Sequence, residues 1–223
     1  MKTKMKTKFA GNKKRKVERK LNNNLENPKN EIRILGVDDS PFKKEDSTCL
    51  VVACVFRGGS FMDGLLSCHV KIDGNDATEK LTKMINNSRH KDQLQIIMLD
   101  GIALGGFNVV DIQELARKTK LPVIVVINHF PDLRKIGIAL KNVRNSQKKL
   151  SLIKKAGEIY SVKLKSKDKK SKGKIYMQLA CISREEAEKI VKLSATRSLI
   201  PEPLRIAHLI SSGIVLGESK GRA

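Results

Sequence analysis

The chain has no tryptophan and only six phenylalanines and two tyrosines. That is too few rings for the stacking platform that single-strand binders use. Its four cysteines (Cys49, Cys54, Cys68 and Cys181) show no Cys-x-x-Cys spacing and no nearby histidine pair. A structural zinc site is therefore not expected, and buried reduced thiols are. Long apolar runs are missing too. Residues 49–56 and 121–127 fall far short of the roughly 20 residues that cross a bilayer. The lysines at the N-terminus have no apolar segment behind them, so the reading is neither a secretory signal nor a membrane partner, and a cytoplasmic protein is expected. His69, His90, His129 and His208 form no His-x-x-x-His pair, and no Ser-His-Asp order or nucleophile elbow occurs.

Acids are also scarce. Against 45 lysines and arginines stand 23 aspartates and glutamates, a formal charge of +22 over 223 residues. Residues 1–20 carry +9 and residues 161–174 carry +6, so more than half of the excess sits on two short segments. A polyanion is the natural partner, because each phosphate met by a lysine or arginine releases condensed counterions. A solubilising or sorting tail is the plainer reading of the first segment. The remaining composition, 40% apolar over the whole chain, suffices for a packed core.

Along the chain, residues 1–30 are lysine-rich and then asparagine-rich, which reads as a disordered basic arm; one domain is expected over 31–223. Residues 32–37 form a short apolar strand that ends in Asp38-Asp39-Ser40-Pro41, and residues 49–56 form a buried strand. Gly58-Gly59 breaks the run before a third strand at 65–72, which gives a hairpin. Helical spacing follows at 76–85, then a strand at 95–99, a glycine-bearing loop and a helix near 109–118. Pro122 precedes a strand at 123–127, and residues 132–156 are mostly helical and basic. Two strands at 160–164 and 174–179 flank a lysine loop. Ser183-Arg184-Glu185-Glu186 has capping-box spacing, and Pro201 suits the first turn of a last helix over 202–211. A meander followed by alternating strands and helices gives an α/β fold, a mixed sheet flanked by helices.

Asp38 and Asp100 each terminate an apolar strand at its carboxyl end, the edge where open α/β sheets bind ligands. Carboxylates that converge there repel unless a cation lies between them, and magnesium suits an oxygen donor set. The alternative is that both merely belong to turns. Asp73 and Asp76 lie in the nearest further supply of carboxylates, although Asp73-Gly74 is an ordinary turn pair and Asp76 can cap a helix. The loop 101–107, with Gly101, Gly105, Gly106 and Phe107, lets backbone approach a ligand closely. It is neither a Walker loop nor a dinucleotide fingerprint. His208, beside Ala207 and Leu209 in the last helix, reads as a packing residue, and His129 as a solvated loop residue.

At these residues the chain resembles a family. Leu35-Gly36-Val37-Asp38-Asp39-Ser40-Pro41-Phe42, Phe56-Arg57-Gly58-Gly59, Asp73-Gly74-Asn75-Asp76-Ala77-Thr78, Met98-Leu99-Asp100-Gly101 and Pro201-Glu202-Pro203-Leu204-Arg205-Ile206-Ala207-His208 are similar to the signatures of the archaeal endonuclease dU family, over essentially residues 31–223. That family in turn resembles endonuclease V. The resemblance implies a ribonuclease-H-like fold and a Mg2+-dependent (or Mn2+-dependent) endonuclease that acts on DNA containing deoxyuridine. Asp38 and Asp100 match two metal-binding acids, with Asp73 or Asp76 replacing a glutamate that would fall near Val70. The late histidine of endonuclease V would fall near Ala180-Cys181, and its lysine on Asn128. The loop residues Gly101, Gly105, Gly106 and Phe107 would border a pocket for an extruded base. Lys13, Lys14, Arg15 and Lys16 in the arm, Arg57, and Lys169 and Lys170 in the lysine loop would contact phosphates. A non-catalytic nucleic-acid binder on a degenerate nuclease scaffold and an RNA-acting endonuclease are the two rival readings.

Overall fold

A computed structural model describes residues 31–165 and 172–219. The expected arm at 1–30, with Lys13 to Lys16, and the loop lysines Lys169 and Lys170 lie outside these described residues.

The first strands form the expected meander. β1 (Arg33–Asp39), β2 (Thr48–Arg57) and β3 (Phe61–Lys71) pair antiparallel, with Val37 opposite Ala53 and Val52 opposite Ser67. After α1 (Ala77–Asn86) the chain enters β4 (Ile96–Asp100), which lies parallel to β1 with Val37 beside Leu99. A two-residue hairpin, β5 (Ala103–Leu104) with β6 (Asn108–Val109), leads into α2 (Ile112–Thr119). β7 (Val123–Ile127) then adds parallel to β4. Two helices, α3 (Leu133–Leu140) and α4 (Ser146–Lys155), precede β8 (Tyr160–Lys165) and β9 (Lys172–Ala180). β9 pairs antiparallel with β7 and with β8, completing a seven-stranded mixed sheet in the order β3-β2-β1-β4-β7-β9-β8. The chain ends in α5 (Arg184–Ser194) and α6 (Glu202–Leu216). The Ser183–Glu186 capping box forms, with each partner serving the other's backbone amide.

Both faces of the sheet are covered, which is why its central strands are apolar without alternation. Leu35, Val37, Ile97 and Leu99 point to one face and meet Leu81, Ile85 and Leu115 of α1 and α2. Ile34, Ile96 and Met98 point to the other and meet Ile190 and Val191 of α5 and Leu204 of α6. On that second face α6 also covers Val52 and Cys54 of β2 through Ala207. Each fully buried aliphatic side chain contributes about 1.5–3 kcal/mol over an exposed one. Cys49 and Cys54 are buried, Cys68 half-buried and Cys181 exposed, all as free thiols. No helix among the described residues is long and apolar enough to cross a membrane.

Candidate active site

The parallel pairing of β1 with β4 decides the geometry. With Val37 beside Leu99, the next residues are Asp38 and Asp100, neighbours at the carboxyl ends of adjacent strands. Side chains alternate along a strand, so both acids point to the face of Met98, the α6 face. Gly36 lies on that face too, and a Cβ there would stand 2.4 Å from Pro203. The bare glycine therefore lets the first turn of α6 descend onto β1. About one and a half turns along, His208 arrives with its Nδ1 2.9 Å from Asp38 Oδ2. Buried Glu202 holds Arg205 through contacts of 2.7 and 3.1 Å, and Ser211 Oγ donates to the Asp39 carbonyl at 3.1 Å. The Glu202–Arg205 pair lies within α6, and the helix is held to β1 by the close approach of Pro203 to Gly36 before His208 and by the Ser211–Asp39 bond after it.

Electrostatics single out the same group. Burial, followed by the charge of Asp38, pushes Asp100 up to about 7, and the proximity of His208 opposes the rise. Burial and Asp38 likewise push Asp39 up to about 6. The hydrogen bond to Asp38 raises His208 above its ordinary value, so its Nδ1 donates to the carboxylate. Such mutual repulsion of buried acids is relieved by a cation. Among the described residues no three His, Cys, Asp or Glu side chains close into a metal cage. Two carboxylates beside an open edge nonetheless fit Mg2+ or Mn2+, because Mg2+ is commonly bound by one or two carboxylates and completes its shell with water and substrate phosphate.

Asp39 points to the opposite face, where its Oδ2 accepts from the Gly105 amide at 2.8 Å. Gly105, Gly106 and Phe107 form the turn between β5 and β6, and each of the two glycines has positive φ. Asp73 braces this turn twice. Its amide donates to the Gly105 carbonyl at 2.8 Å, and its Oδ1 accepts from the Phe107 amide at 2.7 Å. Lys149, almost wholly buried, donates to the carbonyls of Asp73 (3.0 Å), Gly74 and Phe107 (2.6 Å). Asp76 accepts from the Lys71 amide at 3.1 Å and from Asn108 Nδ2 at 2.6 Å. The structure therefore brings Asp38 and Asp100 together, whereas the carboxylates of Asp73 and Asp76 hold a turn.

The braced loop walls a cavity of about 490 Å³ on that opposite face. Gly101, Gly106 and Phe107 line it, with Ile102, Ile127 and Ile136 among its apolar walls. Gly101 follows Asp100 directly, so the acid pair and the cavity meet at one strand end on opposite faces. Gly105 contributes to the turn but not to the lining. Arg57 lies elsewhere: it pairs with Arg33, the first residue of β1, roughly 16 Å along the strand from Asp38. There it binds Asp63 at 2.9 Å.

His208 and Asp39 are site residues that sequence reasoning missed. His208 is no mere packing residue, because the descent of α6 at Gly36 swings it onto Asp38. A signal was available: Glu202, Arg205, His208 and Ser211 recur every third residue as one polar stripe on a mainly apolar helix. The positions near Ala180-Cys181, where the late histidine was expected, are a buried alanine at the end of β9 and an exposed cysteine. Asn128 and His129 are exposed loop residues after β7.

Comparison with known proteins agrees with this architecture. Residues 30–215 match the family model described as endonuclease dU. A UPF0215 protein of Methanothermobacter thermautotrophicus is 49% identical over 204 residues, spanning 91% of this chain and 97% of that protein. A crystal structure of a protein of unknown function from Archaeoglobus fulgidus is 42% identical, with a TM-score of 0.73, and the match covers 82% of this chain and 98% of that one. Ciona intestinalis endonuclease V, solved with a 24mer DNA containing inosine followed by a ribo-adenosine, is similar with a TM-score of 0.54 at 18% identity, over 83% of this chain and 87% of that one. At that identity the likeness is one of fold, and the mixed α/β fold is that of endonuclease V.

Proposed function

The chain belongs to the endonuclease dU family, and from that premise we propose a metal-dependent endonuclease that cuts DNA at or near deoxyuridine, the product of cytosine deamination. The observation that carries the reading is the convergence of Asp38 and Asp100 on one face of the sheet edge, one residue away from a mainly apolar cavity. Asp38 and Asp100 would hold Mg2+, or Mn2+ in its place. Bound there, the ion would supply hydroxide at neutral pH and offset charge on the phosphodiester. His208 holds the Asp38 carboxylate in place through its Nδ1–H. Asp39, Asp73 and Lys149 keep the 105–107 turn fixed at the cavity mouth. The cavity would take the base once it leaves the stack, a step that costs least for a mispaired base. The arm at 1–30, with Lys13 to Lys16, and the lysine loop with Lys169 and Lys170 would grip phosphates without reading sequence. Arg57, at the far end of the sheet, would meet only a substrate that wraps that far. Acting on DNA, the protein would work in the cytoplasm.

The test is cutting of a uracil-containing duplex in Mg2+ by the full chain and by the Asp38→Ala and Asp100→Ala variants. Each variant is expected to slow by about 100- to 1,000-fold, an effect of the size seen when a single group that stabilises the transition state is removed. Wild-type rates in both variants would overturn the assignment. A matched ribo-substrate in the same assay separates DNA from RNA preference. The reading of a degenerate scaffold would rest on the histidine and lysine of endonuclease V falling on Ala180-Cys181 and Asn128, but His208 brings a histidine to Asp38 from α6.

A further inference from the structure

Resting on the reading of the cavity as a base pocket, we propose that Gln178 determines its specificity by recognising the lactam edge of a deaminated base. Among the described residues, and apart from the exposed Lys154, Gln178 is the only one lining the cavity whose side chain carries a hydrogen-bonding group. It sits in β9 opposite Val125, on the cavity face, and is 3% exposed. Its Nε2 donates to the Gly157 carbonyl at 3.1 Å, and Gly157 also lines the cavity. That hydrogen bond fixes the amide's orientation. A flipped amide would bring Oε1 against the Gly157 carbonyl, acceptor facing acceptor. Among the described residues no donor reaches Oε1, and the second Nε2 hydrogen is likewise unspent. Oε1 is not sealed from solvent, so it opens onto the cavity, where a ligand's donor can reach it.

The orientation has chemical content. Gln178 offers an acceptor and a donor side by side, in a sense it cannot reverse. Deamination replaces the exocyclic amino group of cytosine with a carbonyl and moves a hydrogen onto the adjacent ring nitrogen. Uracil therefore presents N3–H beside C=O, the complement of a primary amide held this way round. Cytosine presents an acceptor nitrogen beside an amino donor, so both pairings would be mismatched. A site built to hydrogen-bond a group rejects an analogue lacking it far more strongly than an apolar pocket rejects a missing methylene. Thymine shares the uracil edge, so excluding its methyl group falls to the apolar walls and not to this amide.

The experiment compares the full chain with Gln178→Met, an unbranched apolar replacement of similar size, on duplexes that differ only in one base: uracil, cytosine or N3-methyluracil, which has no N3–H. The wild-type protein should cut the uracil duplex at least about 30-fold faster than the N3-methyluracil duplex. The variant should cut uracil about 30-fold more slowly and treat the two alike, with an unchanged melting temperature. A variant that keeps the wild-type ratio between uracil and N3-methyluracil overturns the role of Gln178 and leaves uracil cutting by the acid pair intact. A wild-type protein that cuts uracil and cytosine duplexes equally, or neither, ends the base-pocket reading and this inference together.

Discussion

At the scale of single residues, Asp38 and Asp100 were legible because each closes an apolar run at its carboxyl end, and apolar runs locate strands well. His208 was not, since its place depends on how closely α6 approaches β1, and spacing within the helix does not report that distance. Asp39 was hidden for a related reason: adjacent strand residues face opposite ways, so its partner is a loop amide beyond the neighbouring strand. The raised Asp100 carboxyl carries a consequence of definite sign. Protons compete with a divalent cation for it, so affinity for Mg2+ or Mn2+, measured by calorimetry, should rise between about pH 6 and pH 8 and level off above its value of about 7. The same shift opposes folding. The folded state holds a proton that the unfolded chain has already released, so stability falls as pH climbs from 3.8 through about 7. Asp100→Asn should therefore raise the melting temperature at about pH 8 by several degrees while removing activity. An unchanged or lower melting temperature would contradict the buried-charge account.

At the scale of elements, most strands and helices could be read from periodicity, because the sheet is buried on both faces and its runs are apolar and bounded. Two features could not. The β5–β6 hairpin is only two residues deep on each side, too short for any alternation to register. The basic stretch from 132 to 156 reads as mostly helical with no break marked, and Asn145 in a left-handed conformation opens α4 after a turn that separates it from α3. That break matters, because it lets α4 turn Lys149 inward to brace the 105–107 turn. Helix α6 is the element on which the acid pair depends most. Gly36→Ala places a Cβ against Pro203 backbone that cannot move aside cheaply. It should destabilise the fold by about 2 kcal/mol, the range of overpacked cores, seen as a lower midpoint in urea. Activity should fall further than that destabilisation explains, since lifting α6 separates His208 from Asp38. Wild-type activity in a stable Gly36→Ala protein would remove α6 from the site.

At the scale of the whole molecule, the sequence's charge excess foretold a polyanionic partner, but the segments that carry most of it lie largely outside the described residues, so their contribution has to be measured. Deleting residues 1–30 should weaken binding to DNA and flatten its dependence on salt, with the slope falling by about 0.9 for each phosphate that the arm neutralises. An identical slope would mark the arm as a sorting or solubilising tail. The sheet edge itself adds a demand on the substrate. The acids lie on one side of it and the cavity on the other, so a nucleotide engaging both must straddle the strand ends, its phosphate on one flank and its ring on the other. A stiff, fully stacked duplex cannot straddle a ridge in that way. Local helix opening thus becomes a gate, and a uracil facing guanine, held by a wobble pair, should pass it sooner than one facing adenine.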